Sequence, residues 1–243
     1  TPFPFLLPLL QVLAAYPLLV LDLRKGRVGS AVLKMLCWAL LLAASVEVLS
    51  VLAPAAGEAS ILHGTAYRDE MISWVRTGVG KEGSWRLFLP EHALHLALFV
   101  ILSLLSAGLL ALVLGAVLMN YMSFYVGSLL GIARHTGVIL LAGWPPWAIV
   151  PVAAFVVLGV VLAGPGLARL GFAPFTWEGK RRWLLAAAAG LALDVLLKTA
   201  LAGRWSLLPP TTRNGSPTSS RKRVPRASPW AIAHGGSFRW WAL

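Results

Sequence analysis

The stretch PEHALHLALFVILSLLSAGLLALVLGAVLM, residues 90–119, carries Glu91, His92 and His95 at its start and no charged residue after Glu91. About 20 predominantly apolar residues suffice to cross a hydrocarbon core about 30 Å thick. This run, the longest in the chain, therefore predicts a membrane-spanning helix. A second apolar segment, residues 121–143, follows it after almost no connection. Residues 3–23, 32–52, 147–168 and 183–202 are of the same kind. The expected fold is all-α: a polytopic transmembrane helix bundle of about six spans. The number falls to five if the first segment, broken by Pro4, Pro8 and Pro17, is re-entrant or if the last helix lies on the surface.

Composition agrees. Of 243 residues 58% are hydrophobic and 12% charged, about half the charge of a soluble domain. Lys and Arg number 21 against 9 Asp and Glu, a net charge of +12. Much of that excess sits in loops and at the C-terminal end, where anionic lipid headgroups are the natural partner; no nucleic-acid partner is expected. The single cysteine, Cys37, excludes an intramolecular disulfide and a CxxC pair, and reads as a small buried apolar residue. Asn120, Asn214 and Gln11 are the only amide side chains, a depletion that fits a thermophile.

One substantial polar loop, residues 57–89, interrupts the apolar pattern. Within it Tyr67, Met71, Trp74 and Val75 recur at helical spacing, opposite Arg68, Asp69, Glu70 and Arg76. The spacing predicts an amphipathic surface helix, resting on the membrane and ended by Gly78-Val79-Gly80. Two regions result: a transmembrane domain over 1–208 and a basic tail over 209–243, whose Arg221-Lys222-Arg223 cluster and Pro/Ser content cannot build a core. The positive-inside rule puts Arg24, Lys25, Arg27, Arg169, Lys180, Arg181 and Arg182 on the cytoplasmic side of a cell membrane. With six spans it puts the basic tail outside, against the rule.

Ionisable groups at membrane depth are costly and mark candidate sites. Glu47 stands alone in the second span, as a proton or cation site or as a hydrogen-bonded helix contact. Arg134 and His135 interrupt the fourth apolar segment; Arg134 pairs with Glu47 or Asp194, or the two mark a surface break bracketed by Gly131 and Gly137. Asp194 and Lys198, at i and i+4, can pair along one helix face. His92 and His95 share a face near Pro90, which reads as the first residue of its helix, and are candidates for a metal or haem. A metal site needs further ligands, so no cofactor is expected.

Small residues give the other signal. Ser103, Ala107, Ala111 and Gly115 recur every four residues, Gly127 and Gly131 form a GxxxG pair, and both patterns let helices approach closely, within one chain or in a homo-oligomer. Asn120 reads as a turn between the third and fourth spans. No phosphate loop, GxSxG elbow or HExxH motif is present, so nothing argues for an enzyme.

Over roughly residues 91–205 the chain resembles the stage II sporulation protein M family of multispan membrane proteins. The resemblance rests on a long helix with Gly108 and Gly115 and on the Asn-turn-Gly element from Leu118 to Gly127. It continues through the proline connection from Trp144 to Pro151, the Gly164-Pro165 stop and a last helix with Asp194. Pro146-Trp147 stands where that family usually has His-Gly followed by a glutamate. The resemblance implies a non-enzymatic component working with partner proteins. The leading expectation is thus a non-catalytic subunit or scaffold of a membrane complex. A transporter or channel using Glu47, Arg134 and Asp194 is the alternative, and a haem-binding cytochrome-like subunit the second.

Overall fold

The computed structural model describes residues 6–132, 137, 140 and 143–205, and its described residues are helical with no strand. The helices are α1 (Leu6–Arg24), α2 (Val28–Leu52), α3 (Pro54–Ser60), α4 (Gly64–Thr77), α5 (Trp85–Leu105), α6 (Leu109–Ile132), α7 (Pro146–Arg169) and α8 (Arg181–Trp205). Six of them, α1, α2, α5, α6, α7 and α8, are long and apolar enough to cross a membrane. Leu33, Leu40, Leu41, Leu52, Leu105 and Leu196 are among the most exposed large side chains, as lipid-facing residues should be. The chain is a multi-pass membrane protein. Arg134, His135 and the tail 209–243 lie outside the described residues.

The third and fourth spans divide inside the long apolar run, well before Asn120. The run 90–119 is not one helix: α5 ends at Leu105 and α6 starts at Leu109. The reversal is a Schellman turn, in which the Gly108 N–H donates to the Ser103 carbonyl at 2.9 Å. Ala107 takes the left-handed position normally held by glycine, with φ 52°, and Gly108 follows at φ 88°. The Ser106 hydroxyl serves both helix ends. It donates to the Leu102 carbonyl at 2.6 Å and accepts the Leu110 N–H at 2.8 Å. The turn is wedged against α7, where a Cβ at Gly166 would come within 2.6 Å of the Ala107 Cα.

Several expectations change with that division. Asn120 is not a turn residue: it lies inside α6, so the segment from Leu118 to Gly127 is continuous helix. Pro90 is not a first helical residue, because α5 begins at Trp85. The Ser103–Gly115 spacing is not a ridge on one helix but crosses the turn. Helix α7 likewise runs through Gly164-Pro165 to Arg169 instead of stopping there. Cys37 is exposed, not buried, on α2.

Helix α6 packs on α1, α2, α4 and α5, and α7 packs on α2, α5 and α8. Gly127 allows α6 to meet α2 at close range; a Cβ there would lie 2.7 Å from the Ser50 Cβ and 3.0 Å from the Glu47 backbone. At the α1–α2 turn the fully buried Asp22 accepts from Arg27, Ser30 and Lys34, each at 2.8 Å. Deeper in the bundle Gln11 and Asn120 exchange two amide hydrogen bonds, of 3.1 and 2.9 Å. Two of the three amide side chains in the sequence therefore satisfy each other and fix the register of α1 on α6.

Replacing Gln11 and Asn120 by Leu, singly and together, should reveal a coupling of about 0.6–1.7 kcal/mol, between the average and the maximum found for hydrogen bonds between membrane helices. A double-mutant cycle from reversible unfolding in micelles reads it directly. A coupling indistinguishable from zero would mean that the pair does not set the register.

Candidate functional site: a cavity with one polar end

A cavity of about 250 Å³ lies among α2, α5, α6 and α7 and touches α1, α4 and α8. Its two ends differ. Toward the α1–α2 turn it is walled by Leu19, Met35, Ala111, Leu112 and Val160. Toward α4 it is lined by Tyr67, Glu82, His92, His95, Asp194 and Lys198. Gly115 helps to keep it open, since a Cβ there would meet nothing within 4 Å.

The polar end is assembled from three parts of the chain. The first turns of α5 present His92 and His95 on one face. Helix α8 brings Asp194 and, one turn on, Lys198. The loop between α4 and α5 adds Glu82. Asp194 and Lys198 do not hold each other as their spacing suggested. Lys198 instead reaches Glu82, with its Nζ 3.0 Å from one carboxylate oxygen and 2.9 Å from the other, and sits 4.6 Å over the Phe88 ring. Asp194 faces α5, its Oδ2 3.2 Å from His92 Nε2. That contact is short enough for an ion pair but off the line of a hydrogen bond, and both His92 Nε2 and Asp194 Oδ1 are buried without a hydrogen-bond partner.

Helix α4 closes over this end. It is amphipathic as expected and stops at Gly78, in a left-handed conformation. Its apolar face, however, turns onto the protein and not onto lipid. Met71 and Trp74 are buried against α6 residues such as Met122 and Tyr125. The Tyr67 hydroxyl donates to Met122 Sδ at 3.2 Å. Burial pushes the Tyr67 phenol well above its ordinary range, with Glu82 adding to the effect, so it stays a neutral donor beside the cavity.

Glu47 is not part of the cavity lining. Its Oε1 accepts the Trp144 indole N–H at 2.7 Å, a partner that the sequence did not suggest. Trp144 itself lines the cavity, so Glu47 orients one wall from behind. Comparison with protein-family models, curated proteins and solved structures finds no match. The chemistry of the site must therefore come from its own residues.

Two classes of chemistry can be weighed on those residues. Among the described residues no three His, Cys, Asp or Glu side chains gather as a metal site would require, and His92 is engaged by Asp194. The small residues read as packing surfaces work largely inside the chain: Ser103, Ala107 and Ala111 are buried, and Gly127 is pressed on α2. Gly131 alone of that set is a glycine with open space around it and no place in the cavity lining.

The Glu82–Lys198 pair is mostly buried, with side chains 19% and 14% exposed. Lys198→Met should cost about 2–4 kcal/mol, slightly below the 3–5 kcal/mol of a wholly buried orphaned charge. Adding Glu82→Gln should recover most of it. Thermal unfolding of the two variants checks this, and an equal loss in both would refute the pairing.

Proposed function

We propose that this multi-pass protein of the cell membrane binds an amphipathic small molecule in its intramembrane cavity, as a carrier of the transporter class. The observation that supports this most is the asymmetry of the cavity: apolar along most of its length and polar only at the α4 end. A ligand with a hydrocarbon body and a polar head matches both halves at once. Ligand cavities are mostly apolar with a few placed polar groups, and intramembrane ionisable residues mark functional sites by default. Arg24, Lys25, Arg27, Arg169, Lys180, Arg181 and Arg182 flank the opposite end of the bundle; by the positive-inside rule the polar end then faces outward.

A non-catalytic subunit acting through protein partners is the second reading, in line with the stage II sporulation protein M resemblance. Gly131 is the small-residue position that favours it, since it offers a second helix an open approach.

A decyl alcohol bearing a diazirine near its terminal carbon, photolysed with the protein in lipid nanodiscs, tests the carrier reading. Adducts are expected on cavity residues such as Phe99, Met119 and Val156, and Gly115→Leu should reduce them several-fold by filling the space. Adducts confined to outward-facing Leu40, Leu41 and Leu105, unchanged in Gly115→Leu, would reject it.

A further inference from the structure

The two buried acids of the bundle differ in how they are neutralised. Asp22 has three donors, Arg27, Ser30 and Lys34. Asp194 is similarly buried, 2% exposed, yet among the described residues it has only the His92 imidazole at 3.2 Å, and its Oδ1 has no hydrogen-bond partner. Lys198 stands one helical turn away but cannot supply the missing charge. Both oxygens of Glu82 hold its ammonium, and the Phe88 ring covers it. Among the described residues that line it, the polar end thus carries two carboxylates against one fixed cation. Burying a carboxylate with an unused oxygen is expensive unless a donor arrives.

We propose that the cavity's ligand is an amphipathic amine whose protonated head pairs with Asp194 and whose short hydrocarbon body lies along Phe99, Phe155 and Val156. This rests on the ligand-binding reading above and names the class of ligand. Three features of the site select that head. An ammonium brings N–H donors to the open Asp194 Oδ1 and a positive charge to a site short of one. Aromatic rings line the cavity beside it: Phe155 packs edge-on against His92 at 6.1 Å and against Phe99 at 4.9 Å, and aromatic rings can attract cations. An anionic head would instead meet Asp194 and Glu82 together, while an alcohol would leave the charge unanswered. The volume of about 250 Å³ holds on the order of eight groups the size of a water molecule, which fits a short alkyl chain.

The test compares octylamine, octanol and octanoate as competitors of the diazirine label, in phosphatidylcholine nanodiscs at pH 7, at equal membrane-partitioned concentrations. An alkylamine is protonated there, since such groups titrate near 10.4. Octylamine should protect the cavity at a concentration at least tenfold lower than octanol or octanoate. In Asp194→Asn the label should still enter, and the advantage of octylamine over octanol should shrink to within twofold. Equal protection by all three competitors, or best protection by octanoate, overturns the amine assignment while leaving the cavity a binding site. A tenfold preference that survives in Asp194→Asn overturns it as well. If the label never enters the cavity of the parent protein, both readings fall. The comparison in the parent protein decides the matter even if the Asn variant does not fold.

Discussion

Inside a hydrocarbon layer no water is present to satisfy a backbone N–H or carbonyl, so every helix that ends there must find partners within the protein. The reversal between α5 and α6 meets that demand with its own atoms: the Ser103 carbonyl, the Gly108 N–H and the two-way Ser106 hydroxyl. Because the turn closes on itself, it needs no polar loop and can be pressed against α7 at Gly166. The position of that reversal sets everything beyond it. It places His92 and His95 at the α4 end of α5, opposite Asp194, and carries Gln11 and Asn120 to the same depth.

The same rule governs the side chains. Asp22, Glu47 and Glu82 each have a named donor: the Arg27–Ser30–Lys34 group, Trp144 and Lys198. Gln11 and Asn120 answer each other. Asp194 is the exception among the described residues, and like Glu82 it lines the cavity. A bundle that gives Asp22, Glu47 and Glu82 each a donor, and leaves one carboxylate oxygen of Asp194 open beside an apolar chamber, points to that chamber as the place where something is received.

The all-helical membrane fold was legible from long apolar runs, and so was the amphipathic helix α4 with its glycine stop. The division of the third and fourth spans was not, for a specific reason. The left-handed residue is Ala107, and the glycine comes one position later, so the usual glycine signal is displaced. Asn120, a stronger turn former on paper, puts the end of the third span at Met119 where the helix in fact ends at Leu105. One signal was available: at 1.5 Å per residue, thirty residues make a helix of about 45 Å, well beyond a 30 Å core. Asp194 and His92 were both singled out in the sequence, but nothing there joined them. They are about a hundred residues apart, and their meeting depends on α5 and α8 both packing against α7. Glu82 and Trp144 had no periodic signal at all, since each sits in a connection between helices.

The Gln11–Asn120 pair also sets a timetable. Its partners are 109 residues apart in the chain, and synthesis proceeds at about 5–20 residues per second. For roughly 5–20 s after α1 enters the bilayer, its amide has no partner from α6, because α6 has not yet been made. During that interval α1 is a marginal lodger in lipid, and only the arrival of α6 turns its mid-helix amide, Gln11, from a liability into an anchor. Assembly of this bundle is therefore tied to the rhythm of its own translation, with the first helix waiting for the fourth span.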